Sequence, residues 1–234
     1  MSSIAIVLSG GTGTRMGRSI PKQYIEVSGR PVIEYCLQTL LKHPLIDEMV
    51  IGVADVWLDF VKECICRLEP NKTVYYCQPG ETRQGTIINA LKVAKDNGAL
   101  ETDIVLIHDA ARPLLSESLI SDCLKACEEA DAVLPVIPVK DTTYLSRDGK
   151  HIDSLLERKT LWNGQAPEAF KFGSYYDANM KLSEDELNRI TGSTEVSYRA
   201  GLKCVLIPGD TNNFKITTPE DLSNFESIIN NESI

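Results

Sequence analysis

The sequence predicts an α/β fold, a doubly wound and mostly parallel sheet with helices on both faces. Three observations predict it. Six short apolar runs, most of them rich in Val and Ile, recur along the chain: Ile4–Leu8, Met49–Val53, Val74–Cys77, Ile104–Ile107, Ala132–Val136 and Leu202–Ile207. Runs of that kind suit strands buried on both faces. Between them lie stretches with helical spacing, and strand-helix alternation implies a parallel sheet. Finally, 234 residues with 43% hydrophobic content can bury one sizeable core without covalent staples.

The elements follow in order. The first ten residues lack a basic leading region and a cleavage site, so Ile4–Leu8 reads as a first strand and not as a signal peptide. Pro31 suits the first turn of a helix running through Leu41, where no backbone N–H is needed. Gln84–Asp96 places Ile87, Ile88, Leu91 and Val93 or Ala94 on one face. Ser116–Ala130 begins with a Ser cap and has Glu117 at its positive end. A last helix follows Thr218-Pro219-Glu220-Asp221, a cap, a proline and two acids. The segment Lys140–Phe170 breaks the alternation with a polar turn at Ser146–Gly149 and suits either a projecting β-arm or an ordinary surface excursion.

Composition excludes several roles. A formal charge of −9 argues against a general binder of nucleic acid or anionic membrane. No run approaches the ~20 apolar residues of a membrane span, so cytoplasmic residence is the default expectation. Seven cysteines show no framework spacing, and the three histidines do not complete a four-ligand zinc site with Cys64 and Cys66 or Cys123 and Cys127. Reduced, mostly buried thiols are expected. Against this acidic background Arg15, Arg18 and Lys22 fall within eight residues, which points to a local anionic ligand.

In a doubly wound sheet, ligands bind beyond the carboxyl ends of the strands. The first strand runs into Leu8-Ser9-Gly10-Gly11-Thr12-Gly13-Thr14-Arg15-Met16-Gly17 and then Pro21-Lys22-Gln23. Glycines there allow close approach of backbone N–H groups to phosphate oxygens. Arg15 can fork two oxygens, and Lys22 adds a point charge. The spacing is neither that of a P-loop nor that of the dinucleotide fingerprint, whose third glycine position is Met16. A simple glycine turn leaves the two cations unexplained. The fourth strand ends in His108-Asp109-Ala110-Ala111-Arg112-Pro113. Asp109, a hard oxygen donor at a strand end, is the magnesium candidate, and Arg112 can face an acceptor phosphate. His108 reads as structural. Pro79-Gly80-Glu81-Thr82-Arg83-Gln84-Gly85-Thr86 can read a base edge, or be only a capped turn.

In this order the motifs resemble the 2-C-methyl-D-erythritol 4-phosphate cytidylyltransferases and the related ribitol 5-phosphate cytidylyltransferases. The resemblance runs from Gly10–Gln23 through Gly80–Leu91, His108–Pro113, Pro138–Thr142 and Leu156–Phe170 to Asn213–Leu222. It implies transfer of CMP from CTP to a polyol phosphate, on a Rossmann-like nucleotidyltransferase fold forming a single domain over 1–234. It implies that Leu8, Ser9, Gly10, Gly11, Gly13, Gly80, Glu81, Arg83, Thr86 and Ala110 hold the nucleotide, and that Asp109 holds Mg2+. Arg15, Lys22, Arg158 and Lys215 correspond to catalytic cations, and Arg112, Thr142 and Arg158 to acceptor contacts. The region at about 140–170 matches a dimerisation arm that carries Arg158 into the partner's site, so a homodimer is expected.

Three other readings predict different features. A UTP- or dTTP-dependent sugar nucleotidyltransferase shares the glycine loop, but not the His108–Pro113 or Arg158–Trp162 stretches. A dehydrogenase predicts NAD binding. A silent nucleotide-binding module predicts CTP binding without pyrophosphate release. For the acceptor, methylerythritol phosphate is the first reading, toward which His108–Arg112 leans, and ribitol phosphate is the alternative, toward which Gly164-Gln165 leans. Thr191–Glu195, a stretch the resemblance sets near the acceptor, lacks the Thr-Asp-(Asp or Glu) run typical of methylerythritol enzymes.

Overall fold

The apolar runs line up as neighbours in one sheet. The computed structural model describes residues 1–11 and 20–232. Its strands are β1 (Ser3–Leu8), β2 (Glu26–Val27), β3 (Arg30–Pro31), β4 (Glu48–Gly52), β5 (Thr73–Cys77), β6 (Ile104–Asp109), β7 (Ala132–Pro138), β8 (Tyr144–Leu145), β9 (Ser154–Leu155), β10 (Trp162–Gly164), β11 (Glu168–Lys171) and β12 (Cys204–Pro208). Its helices are α1 (Val32–Lys42), α2 (Asp55–Arg67), α3 (Arg83–Asp96), α4 (Glu117–Cys127), α5 (Phe172–Met180), α6 (Glu184–Arg189), α7 (Ser193–Arg199) and α8 (Pro219–Glu232). No helix among the described residues is long and apolar enough to cross a membrane.

The main sheet is ordered β10-β7-β11-β6-β1-β4-β5, with β12 also on β7. β1, β4, β5 and β6 pair in parallel, as do β12 and β7, whereas β10 and β11 run antiparallel to their neighbours. Side chains alternate between the two faces as the two-residue strand period requires. Ala5, Val7, Met49, Ile51 and Leu106 face a core shared with α1, α2 and α4. Ile4, Ile6, Val50, Val105 and Ile107 face a second core shared with α3, α5 and α7. A smaller cluster packs α8, through Leu222 and Phe225, on Ile25, Val27 and Val32.

The six expected strands form within two residues of their expected bounds. The helices expected from Pro31, Gln84, Ser116 and Thr218 also form, and the side chains of Thr82 and Ser116 cap α3 and α4. The segment expected as one arm divides in two. Residues 140–161 are almost all exposed and carry the small β8–β9 hairpin. Trp162–Gly164 and Glu168–Lys171 return to the main sheet, where Ala169 and Phe170 are fully buried. Burial of that short stretch between β6 and β7 outweighs its lack of length. The return is broken at Gln165-Ala166-Pro167, and Gln165 and Ala166 of this break line the cleft described next.

Candidate active site

The register brings the carboxyl ends of the parallel strands level. Leu8 pairs with both Gly52 and Asp109, and Gly52 pairs with Cys77. The chain leaving β1 therefore meets the chain leaving β5 and β6. Ala110 N–H donates to the Leu8 carbonyl at 3.1 Å. A side chain at Gly10 would collide with the Pro79 ring, and one at Gly80 would lie 2.5 Å from the Gly85 carbonyl carbon. Glycine at these two positions is what lets the first turn and the Pro79–Thr86 turn touch.

Asp109 is the electrostatic centre of this edge. The residue is 7% exposed, and its carboxylate lies 2.9 Å from Lys215 Nζ, 3.1 Å from Arg83 Nε and 3.7 Å from Arg112 Nε. Burial opposes its ionisation, but Arg83, Lys215 and Arg112 outweigh burial and hold the carboxyl far below the ordinary carboxylate range. Arg83 also reaches Ser193 Oγ at 2.5 Å and Glu168 Oε1 at 3.5 Å. Burial opposes its charge, and Asp109 and Glu168 reverse that effect and raise its pKa. Arg112 is shifted down, mainly by burial, and its Nη1 donates to the Asn213 carbonyl at 2.7 Å.

His108 lies behind this group, fully buried, with Nε2 2.9 Å from the Arg112 carbonyl. Burial pushes its pKa down to about 4. A neutral ring bonded to backbone fits the structural role expected for it.

A cleft of about 320 Å³ opens beside Asp109, Arg83, Arg112 and Lys215. Its far wall is polar, with Gln165, Glu168, Thr191, Thr194 and Glu195. Of these five, Gln165 was read in the sequence as a lean toward ribitol phosphate and Thr191–Glu195 as a stretch the resemblance sets near the acceptor, whereas Glu168 had no expected role. Glu168 accepts from Thr194 N at 2.9 Å and Thr194 Oγ1 at 2.6 Å, tying the start of α7 to β11. Gln165 is braced by Asp210 through Nε2 at 2.9 Å and Oε1 at 3.0 Å. For Glu168 the available signal was an acid inside the otherwise apolar run Ala166–Phe170.

The remaining expected residues fall in three groups. Leu8, Ser9, Gly10, Gly11, Gly80, Thr86 and Ala110 gather at the strand ends, with the exposed Glu81 beside them. Thr86 Oγ1 accepts from Gly80 N at 3.0 Å and donates to the Thr82 carbonyl at 3.2 Å, so this hydroxyl shapes the turn. Gly13 and Arg15 lie outside the described residues, and Lys22 begins a short 3-10 turn, Lys22–Tyr24, just after them. Thr142 and Arg158 are exposed on the arm and are not among the residues lining the cleft. Arg158 Nη1 donates to the Lys140 carbonyl at 2.9 Å.

A doubly wound sheet with a glycine turn, a second glycine turn and a cation-ringed carboxylate at one edge defines an α/β nucleotidyltransferase. The family model described as 2-C-methyl-D-erythritol 4-phosphate cytidylyltransferase matches residues 3–231, and the chain belongs to that family. It is 35% identical to the 2-C-methyl-D-erythritol 4-phosphate cytidylyltransferase of Clostridium botulinum, over 97% of this chain and 98% of the relative. It is 30% identical to the ribitol-5-phosphate cytidylyltransferase of Lacticaseibacillus paracasei, over 98% of this chain and 99% of the relative. Among solved structures it is similar to the 4-diphosphocytidyl-2C-methyl-D-erythritol synthase of Anaerococcus prevotii, with a TM-score of 0.83, 26% identity, and 98% of this chain and 96% of that one covered.

Proposed function

We propose that this chain transfers CMP from CTP to 2-C-methyl-D-erythritol 4-phosphate and releases pyrophosphate. The observation that carries the chemistry is the Asp109 carboxylate, level with the end of β1 and ringed by Arg83, Lys215 and Arg112. Support for the acceptor comes from the family model and the 35% identity to a relative of that name.

An oxygen of the acceptor phosphate attacks the α-phosphorus of CTP. The bond to the β-phosphate oxygen breaks, and its electron pair leaves with pyrophosphate. The attacking oxygen is already ionised, so no general base is needed, consistent with a neutral, backbone-bonded His108. Two anions must meet, and catalysis is mainly orientation and charge stabilisation. Gly10, Gly11 and Gly80 offer backbone to the nucleotide, and Arg15 and Lys22 offset charge on the triphosphate. Arg112 and Lys215 face the cleft, where they hold the acceptor phosphate. Thr142 and Arg158 contribute from a partner subunit's arm, which makes the working form a homodimer. One nucleotidyltransferase domain over 1–234, resident in the cytoplasm, completes this reading.

Among the described residues no group of three or more His, Cys, Asp and Glu converges to form a preformed metal cage. A single ionised carboxylate nonetheless fits magnesium, which keeps several waters and is held by one or two carboxylates plus substrate phosphates. Asp109 is the residue that would hold it. When bound, Mg2+ neutralises phosphate charge and polarises the reacting phosphoryl group.

Ribitol 5-phosphate is the second acceptor reading, favoured by the relative of that name across 98% of the chain. The deciding assay incubates the protein with CTP, Mg2+ and each polyol phosphate and follows pyrophosphate. Release with methylerythritol phosphate is expected. Release with ribitol phosphate alone overturns the acceptor, and no release with either overturns the transfer reaction itself.

A further inference from the structure

Directly beneath the first glycine turn lies a hydrogen-bonded group that the mechanism above does not use. Gln23 is 3% exposed, and its Nε2 donates to two carbonyls, Ser9 O at 2.8 Å and Gly11 O at 2.8 Å. A primary amide has two N–H donors, and both are engaged here. The opposite amide orientation would set an oxygen against both carbonyls, so the donor arrangement is dictated by chemistry. Tyr24, 4% exposed, donates its hydroxyl to the same Ser9 carbonyl at 3.0 Å. Its single hydrogen is then spent, so the 2.7 Å contact with Ser9 Oγ has the serine as donor. Trp57 stacks on the Tyr24 ring at 4.5 Å and Phe60 meets its edge at 5.5 Å, fixing the phenol from below.

The consequence lies in the peptide plane. In a trans peptide the C=O and the following N–H point in opposite directions. Pulling the Ser9 carbonyl down onto Gln23 and Tyr24 aims the Gly10 N–H up, away from the core. Gln23 and Tyr24 also belong to the turn that begins at Lys22, where Tyr24 N–H donates to the Pro21 carbonyl at 2.9 Å and Ile25 N–H to the Lys22 carbonyl at 3.3 Å. The same bonds therefore set both the direction of the glycine-turn N–H and the position of Lys22 relative to it.

We propose that Gln23 and Tyr24 form a positioning clamp, which orients the Ser9–Gly11 backbone and places Lys22 for the CTP phosphates without touching the nucleotide. The inference rests on the CTP-dependent reading above. Its signature is selective, with CTP use impaired and acceptor use spared.

The test compares wild type, Gln23→Met and Tyr24→Phe in the pyrophosphate assay, with KM measured separately for CTP and for the acceptor. Methionine keeps the length of glutamine but donates nothing, and phenylalanine keeps the aromatic stack and loses the hydroxyl. Gln23→Met is expected to raise the KM for CTP about tenfold and to leave the acceptor KM within about twofold. Tyr24→Phe is expected to raise the CTP KM about threefold, since Gln23 still holds the carbonyl. Melting temperatures distinguish misfolding, and if Gln23→Met does not fold, Tyr24→Phe decides by the same KM split. An unchanged CTP KM in folded variants, or an equal rise in both KM values, overturns the clamp. Wild-type protein that releases no pyrophosphate overturns the reading beneath it instead, so the two failures are distinct.

Discussion

Asp109 is held ionised in a nearly closed place only because three cations surround it. Asp109→Asn keeps the shape and removes the charge, leaving Arg83, Lys215 and Arg112 around a neutral amide. Turnover is expected to fall about a hundredfold or more, the usual cost of one electrostatic contact at a phosphoryl-transfer site. Lys22→Ala is expected to lose turnover on the same scale, and steady-state pyrophosphate release measures both. His108 provides a separate prediction about pH. Burial keeps its imidazole neutral down to about 4 in the folded chain, whereas the unfolded chain takes up a proton near 6.5. Unfolding therefore binds a proton between those values, and stability falls as pH falls through that window. Asp109, Arg112 and Lys215 are the charged groups facing the ring. The expected loss is on the order of 3 kcal/mol by pH 4. Urea midpoints of wild type and His108→Gln at pH 7 and pH 4.5 check it, and the difference between the two proteins must shrink as the pH drops. His108 and Asp109 were legible in sequence because they close a buried apolar strand. Glu168 was not, because nothing local marks which strand break will face a cleft, and its bonds to Thr194 and Arg83 join segments far apart in sequence.

At the scale of elements, the glycine turns work by contact. An alanine at position 80 would place its Cβ 2.5 Å from the Gly85 carbonyl carbon and 2.8 Å from Thr86 N, both backbone atoms. One turn must move. Gly80→Ala is expected to weaken CTP binding about tenfold by calorimetry and to cost ~1–3 kcal/mol of stability, the usual penalty of overpacking. Unaltered CTP affinity would show that the two turns tolerate separation. Elements with a strong local pattern were read correctly, including the Val- and Ile-rich strands and the capped helices α3 and α4. Helix α2 was not anticipated. Its buried residues are Val61, Cys64 and Ile65, a narrow stripe, while Val56 on the same helix is exposed. Strand β11 was missed for a related reason: four residues carry too little periodicity, and its antiparallel place in the sheet follows from contacts with β6 and β7 far away in sequence.

At the scale of the whole molecule, Thr142 and Arg158 are exposed and do not line the cleft of their own chain. The 140–161 segment exposes Tyr144, Leu145, Ile152 and Leu155, which in water favours a partner surface. If Arg158 serves the partner's site, mixing folded but inactive Arg158→Ala and Lys22→Ala proteins must restore activity, because a mixed dimer holds one site with both residues intact. Random exchange gives about a quarter of wild-type turnover in a C2 dimer. No recovery, with exchange confirmed by native mass spectrometry, would place Arg158 outside catalysis in trans.

The sequence alone determined the strand-helix alternation, the glycine-rich stretch after the first strand and Asp109 at a strand end, because each is written in contiguous residues whose local physics needs no distant partner. The family was legible too, as a resemblance spread over six stretches between Gly10 and Leu222. The tertiary structure decided the ring of Arg83, Arg112 and Lys215 around Asp109, the polar far wall from β11 and α7, and the clamp beneath Ser9–Gly11. These depend on which distant segments the sheet register brings level, and register is settled by burial across the whole core.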